Sequence, residues 1–212
     1  MFKTLKAAEA VAGTLSKPSK MPGYSYGLPA EECKVGRVLV KTPGSVCETC
    51  YALKGRYVFP NVKNAQYRRL GSIRDIRWVD AMVFMIKKRA IPYFRWHDSG
   101  DIQDDFHLKQ IVKIAELLPD ITFWLPTREQ GIVRAFTAKN VVPSNLTIRI
   151  SATMIDGPSP KLLGLPTSEV ISSETLLGPS TFLCPAPKNE GVCGTCRACW
   201  DPSVPTVTYL KH

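Results

Sequence analysis

The stretch from Pro92 to Met154 constrains the fold most. Three apolar runs, "IPYFRW", "ITFWLPT" and "NLTIRISATM", alternate with two helical patterns, "DFHLKQIVKIAELLP" and "EQGIVRAFTAK". In the first helical pattern Leu108, Ile111, Val112, Ala115 and Leu118 recur at helical spacing, and Pro119 closes it. Strand, helix, strand, helix, strand with short links leaves one economical arrangement. The strands lie parallel and each crossover is right-handed. The expected fold is therefore α/β, built on a parallel sheet, with a site at the C-terminal ends of the strands.

The rest of the 212-residue chain is less regular. Residues 1–20 read as a tail or lone helix ending at Lys17-Pro18, and residues 21–212 as a single α/β domain. From 21 to 61 the chain is rich in Gly, Pro, Tyr and Cys, and only "RVLV", Arg37 to Val40, reads as a strand. Val62 to Arg89 reads as helix with a break at Gly71-Ser72, its apolar face supplied by Ile76, Val79, Ala81, Met82, Val83 and Ile86. "SEVISSETL", "STFLC" and "PTVTYL" offer shorter strands toward the C-terminus.

Seven cysteines fall in these two irregular segments. The N-terminus "MFKTLKAAEAVAGTL" carries Glu9 inside its short apolar stretch and does not resemble a signal peptide, and no apolar run has the length of a membrane span. The expected compartment is the cytoplasm, where thiols stay reduced and clustered cysteines are read as metal ligands before disulfides. The C-terminal group is Cys184-x8-Cys193-x2-Cys196-x2-Cys199, with Pro185 after the first. Cysteines at every third residue reach separate iron corners of a [4Fe-4S] cubane, and a distant Cys-Pro takes the remaining corner. Tetrahedral zinc more often uses two separated Cys-x2-Cys knuckles, so a zinc site would draw on Cys47-x2-Cys50 and one C-terminal pair. The N-terminal group is Cys33-x13-Cys47-x2-Cys50. Either one cluster draws ligands from both ends of the chain, or the C-terminal four hold one cluster and Cys33, Cys47 and Cys50 a second with one iron open. Spacing alone leaves both arrangements standing.

Three polar segments follow the three central strands: "WHDSGD", "PTRE" and "SATMIDG". The first brings His97, Asp98, Ser99 and Asp101 to the expected mouth, where an imidazole, carboxylates and a hydroxyl are the groups of acid–base and nucleophilic catalysis. Arg128 and Ser151, at the next two strand ends, are candidates for binding a ligand. The competing reading makes Asp-Ser-Gly-Asp a turn, with Asp104 or Asp105 capping the helix that follows. Arg128 would then pair with Asp98 or Asp101, Arg149 would be a buried ion-pair partner, and Trp96, Phe123 and Trp124 would be core.

The formal net charge is +10. Between Lys54 and Arg95 eleven Lys and Arg face two Asp, a local net of +9. Such a stretch is either a solvated helix surface or a face for an anionic partner such as nucleic acid.

Several separate blocks, "KMPGYSYGLPAEEC", "SVCETCYALKGRY", "FRWHDSGDIQ", "FWLPTRE", "IRISATMIDG" and "CGTCRACW", resemble a bacteriophage protein family known as gene product eighty-eight, over most of the chain from Lys20 to His212. More faintly, Cys47, Cys50, Tyr51 and Ala52, the Asp98–Phe106 segment and Leu125-Pro126-Thr127-Arg128 resemble phage barrel proteins of the radical-SAM type. That likeness implies an incomplete parallel (β/α) barrel of the TIM type, with a cluster at its mouth. The chain departs from the type in lacking a Cys-x3-Cys-x2-Cys spacing and in being short for a full barrel. Three functional expectations follow. The first is an iron–sulfur protein with an esterase-like hydrolytic pocket around His97, Asp98, Ser99 and Asp101. The second is a radical-SAM-like enzyme. The third is a non-catalytic nucleic-acid-binding protein with a structural cluster or zinc.

Overall fold

The alternation between Pro92 and Met154 forms the middle of a seven-stranded, all-parallel sheet. A computed structural model describes residues 2–162 and 164–211; Met1 and His212, the outer ends of the two segments expected above, lie outside the described residues, as does Leu163. The strands are β1 (Tyr24–Tyr26), β2 (Tyr93–Trp96), β3 (Thr122–Thr127), β4 (Leu146–Ile155), β5 (Thr167–Ile171), β6 (Thr181–Leu183) and β7 (Thr206–Leu210). Their order across the sheet is β1-β2-β3-β4-β5-β7-β6. Every neighbouring pair is parallel. β1 and β6 are its edges, and among the described residues no pairing joins them.

Six helices accompany the sheet: α1 (Leu5–Ala12), α2 (Gly36–Leu39), α3 (Pro60–Ser72), α4 (Trp78–Arg89), α5 (Asp105–Leu117) and α6 (Gln130–Thr137). α5 begins where its sequence says it should. The Asp104 carboxylate accepts from the His107 backbone N–H at 2.9 Å, and Leu108, Ile111, Val112, Ile114 and Ala115 form its buried stripe.

From β1 to β5 each crossover steps one strand in the same direction. Right-handed connections that never reverse place their helices on one face of the sheet. Phe94, Trp96, Phe123, Leu125, Leu146, Ile148 and Ile150 point to that face and share one core with residues of α1, α4, α5 and α6. Arg95, Trp124, Thr147 and Arg149 alternate with them and point the other way. That second face is covered by the C-terminal cysteine segment. The Trp200 ring packs on Trp124 at 5.0 Å, its indole N–H donates to the Phe94 carbonyl at 3.0 Å, and Thr147 Oγ1 donates to the Trp200 carbonyl at 2.7 Å. Burial on both faces accounts for the unbroken buried run from Leu146 to Ala152 in β4.

Several local expectations change. "RVLV" is not a strand: Gly36–Leu39 is the helical turn α2, with Val40 N–H bonded to the Gly36 carbonyl. No sheet edge runs beside it, and a lone β-prone tetrapeptide lacks the cross-strand pairs that make a strand stable. The strand of this region is instead β1, only three residues long. The Tyr26 hydroxyl donates to the Ala12 carbonyl at 2.6 Å and accepts from Trp78 Nε1 at 3.0 Å, tying β1 to α1 and α4. Residues 1–20 contain the helix α1, whose Ala8 and Ala12 are fully buried in the shared core. The helix ends at Gly13 rather than at Lys17. Ile76 is 95% exposed in the turn before α4 rather than on its apolar face. No helix among the described residues is long and apolar enough to cross a membrane.

Candidate functional site

The strands' C-terminal ends open on a cavity of about 110 Å³. Its wall draws on three places in the chain. Cys33, Gly36, Cys47, Cys50 and Tyr51 come from the segment after β1. His97 to Asp101 follow β2, and Thr127, Arg128 and Ser151 come from β3 and β4. All six of the polar residues singled out in the sequence thus line one cavity, together with three of the seven cysteines.

The cysteine segment is held there by β4, whose ten residues extend beyond its neighbours. Val46 N–H donates to the Thr153 carbonyl and Ile155 N–H to the Gly44 carbonyl, both at 2.9 Å. These bonds flank Ser45 and fix the chain just before Cys47. Glu129, 5% exposed at the end of β3, accepts from the Val35 backbone N–H at 2.9 Å and fixes the start of α2.

Sequence reasoning left open how the cysteines divide, and the geometry divides them. All seven are free thiols. The pKa of Cys33 is pushed up by burial first, then by the Asp101 carboxylate and by Cys50 and Cys47. Burial also raises Cys47, against the pull of the Arg128 cation, with Cys50 and Asp101 adding to the rise. In the other group burial raises Cys193, aided by Cys184 and Cys196. It raises Cys184, with Cys196 adding to the effect. Cys199 is pushed up to about 11 by burial, partly opposed by the Tyr209 hydroxyl, which lies 3.1 Å from its sulfur. The thiols acting on one another are therefore Cys33, Cys47 and Cys50 on one side, and Cys184, Cys193, Cys196 and Cys199 on the other. Among the described residues no three His, Cys, Asp or Glu side chains converge as tightly as a single metal ion requires.

A glycine sits against the first group. A Cβ at Gly36 would stand 2.8 Å from Cys33 Cβ, 3.6 Å from Cys33 Sγ and 3.9 Å from Cys47 Sγ. The absence of a side chain lets the Gly36 backbone approach Cys33 closely, within reach of both sulfurs.

The polar residues divide into those that build the cavity and those that face it. Asp101 builds: Oδ1 accepts from Ile102 N–H and Thr127 Oγ1, and Oδ2 from Arg128 N–H. Burial nonetheless raises its pKa to about 6. Ser99 is likewise committed, donating to the Leu28 carbonyl at 2.7 Å and accepting from Gln66 Nε2 at 2.9 Å. No hydrogen bond joins it to His97, whose two ring nitrogens are buried without partners. His97 takes a left-handed φ of 55°, and burial holds its ring neutral, well below the ordinary imidazole range. The ring lies 5.3 Å from that of His107, on the side of the core. Nucleophile and base are therefore not brought together in the way an esterase needs. Gly100 has no such latitude: at φ 76° its Cβ would stand 2.6 Å from Leu28 Cβ.

Asp98 faces the cavity. Its Oδ2 accepts from the Tyr57 hydroxyl at 3.2 Å, its carbonyl from the Tyr51 hydroxyl at 2.5 Å, and its Oδ1 is buried with no partner. Arg95 also lines the cavity, its guanidinium 4.5 Å above the Trp124 ring and its Nε unpartnered. Arg128 pairs with neither Asp98 nor Asp101 through its side chain; its Nε donates to the Ala152 carbonyl at 3.0 Å. Ser151 Oγ accepts from Ser168 at 3.2 Å. Arg149 is no ion-pair partner. It is fully buried, and its guanidinium donates to the carbonyls of Thr167, Ala198, Asp201 and Val204 at 2.8 to 3.1 Å. It thereby clasps the end of the C-terminal cysteine turn. Arg95, Tyr51, Tyr57 and Arg149 were not read from sequence as site residues, although each sits in one of the quoted blocks, because residue type and position there do not tell which side chains face the cavity.

Fold and site together define a parallel α/β protein with a cysteine-walled polar mouth and a second cysteine group on the sheet's far face. The model of the family described as gene product 88 matches residues 2–202, and the chain belongs to that family. This is the phage family that the separate sequence blocks resemble. No curated protein and no solved structure matches the chain.

Proposed function

We propose that the chain is an iron–sulfur enzyme of radical-SAM-like type. In this reading Cys33, Cys47 and Cys50 hold a [4Fe-4S] cluster with one iron open to the mouth, and Cys184, Cys193, Cys196 and Cys199 hold a second cluster that is fully ligated. The observation that carries it is the division of the cysteines into three and four, with only the three in the cavity wall. The donor set fits. Three thiolates leave one corner of a cubane free and four leave none.

A three-cysteine cluster, when bound, supplies an open coordination position and an electron to a molecule held beside it. The chain's own residues then select that molecule. Asp98 Oδ1 asks for a donor and Arg95 Nε for an acceptor. A carboxylate and a guanidinium among the residues lining one cavity suit the ammonium and carboxylate of an amino-acid end, which SAM carries. Tyr57 and Tyr51 hold the Asp98 turn in place. The same-face helices make the sheet an incomplete barrel, with the face under Trp200 as its inside. The hydrolytic reading has less behind it, because the Ser99 proton is spent on a backbone carbonyl.

The test is iron and acid-labile sulfide analysis of anaerobically purified protein. The expected content is about eight irons per chain, falling to about four in either Cys50→Ser or Cys196→Ser. With dithionite and SAM, the wild type yields 5′-deoxyadenosine and Cys50→Ser does not. Zinc without sulfide would overturn the cluster reading. Intact clusters with no SAM turnover would overturn the chemistry.

A further inference from the structure

We propose that the mouth's rim binds single-stranded nucleic acid, so that the molecule acted on in the cavity is a nucleotide within a strand. The proposal rests on reading the mouth as the reaction site and names the substrate class for it.

The segment that follows Cys33 and supplies the cavity's other two cysteines is also strongly basic. From Lys34 to Arg68 there are seven Lys and Arg and one acid, Glu48, a net of +6 within a chain total of +10. Five of these cations directly flank residues of the mouth. Lys34 follows Cys33, Arg37 follows Gly36, Lys41 follows Val40 and Lys54 follows Leu53, each neighbour lining the cavity. Arg56 precedes Tyr57, which hydrogen-bonds Asp98. All five are exposed. Among the described residues none of the five takes part in an ion pair. The lone acid is engaged, Glu48 accepting from Gly44 N–H at 2.8 Å. A ring of unneutralised cations around a small opening concentrates polyanions there.

Aromatic faces stand among the cations. Tyr51 is 53% exposed although its hydroxyl is tied inward to Asp98, so what it offers outside is the flat of its ring. Phe59 is 54% exposed on the same segment. Cations that track a backbone, interleaved with rings on which bases stack, are the pattern of sequence-tolerant single-strand binding. A duplex hides its base faces and would leave these rings unused. A membrane would need a continuous apolar patch where this rim alternates charge and ring.

Fluorescence anisotropy with labelled single strands of about 16 nucleotides, in deoxy and ribo form, tests this on anaerobically purified protein whose iron and sulfide are measured in the same sample. Binding of either strand is expected, tighter than that of the matching duplex. If all five cations engage, affinity should fall about a hundredfold between 50 and 200 mM salt. Lys54→Glu with Arg56→Glu should weaken binding tenfold or more, and Phe59→Ala roughly tenfold. Lys87→Glu with Lys88→Glu is the control, since those residues end α4 just before β2 begins and so lie at the opposite end of the strands. The control pair should bind as wild type. No binding at 50 mM salt, equal loss in the control pair, duplex bound as tightly as single strand, or binding to phosphatidylserine vesicles in place of oligonucleotides would each overturn the proposal. Failure in a sample that holds both clusters refutes this inference alone. Binding in a sample without iron refutes the cluster reading alone.

Discussion

Arg149→Met is the most informative single change in the sheet. Methionine keeps the apolar stem of the side chain and removes the guanidinium. Four carbonyls, those of Thr167, Ala198, Asp201 and Val204, then lose donors now at 2.8 to 3.1 Å. Leaving a buried acceptor unmet costs about 1–3 kcal/mol each, which sets an upper range near 10 kcal/mol. Two effects reduce it. Carbonyls on the 198–204 turn can reach water if the turn loosens, and the variant no longer buries a cation. Burial already lowers the pKa of Arg149, so desolvation outweighs the help from Tyr209, Cys199 and Asp201. The expected net is about 3–5 kcal/mol, the range found when one side of a buried charged network is removed. The loss should be local. Hydrogen exchange of amides 193–204 should accelerate by two or more orders of magnitude while the β2–β3 amides change far less. Urea denaturation of the apoprotein reads the global part. Arg149→Lys should recover part of the loss, because one ammonium reaches at most three of the carbonyls. Unfolding within about 1 kcal/mol of wild type, together with unchanged exchange at 193–204, would refute the clasp.

Three other outcomes follow from the same coordinates. His107 is fully buried and its pKa is depressed from 6.5 to about 3 by burial, with Asp104 raising it and Arg74 lowering it. A depressed histidine contributes stability that is complete above pH 6.5 and lost as pH falls toward 3, at about 1.4 kcal/mol per pH unit; His107→Gln should flatten the pH dependence of apoprotein urea midpoints between pH 6.5 and 4.5 by that amount, and an unchanged slope would refute it. His97, also depressed by burial, works in the same direction, and Asp101, raised to about 6, in the opposite one over part of that window, so the wild-type slope combines all three. Tyr209→Phe removes the hydroxyl 3.1 Å from Cys199 Sγ and should lower the midpoint potential of the C-terminal cluster alone by a few tens of mV, read by EPR-monitored titration. Gly36→Val should halve the iron content, because its side chain crowds Cys33 and Cys47 while the other cysteine group is untouched.

The legible part of the fold was the part governed by period. β2, α5, β3, α6 and β4 each carry enough residues for alternation or helical spacing to declare itself, and a parallel arrangement follows from their order. The illegible parts are short. β1 has three residues, too few for a pattern, and what makes it a strand is remote: the Tyr26 hydroxyl bonded to Ala12 and Trp78. "RVLV" failed for the complementary reason. Its β-branched residues state a preference, but a strand is a pairing, and the loop between Cys33 and Cys47 offers no partner there.

The site was legible by location and illegible by role. That His97, Asp98, Ser99 and Asp101 would meet the cysteines followed from strand ends alone. Which of them face a ligand depended on neighbours no local motif announces. Ser99 is taken by Leu28 and Gln66, Asp101 by the β3 turn, and His97 turns toward His107. What remains for chemistry is Asp98 Oδ1 and, one residue before the motif's Trp96, Arg95. Arg95 had looked like a strand residue among aromatics. Alternation places it on the sheet face opposite Phe94 and Trp96, and that face holds both cysteine groups. Its guanidinium lines the mouth beside Cys47 and Cys50, and it also lowers the pKa values of Cys193 and Cys199 in the second group. A single cation thus stands between the two sets of thiols. If the two proposed clusters are bound, Arg95→Gln should shift the midpoint potential of the C-terminal one downward, and an unchanged potential would refute an influence of this cation on it.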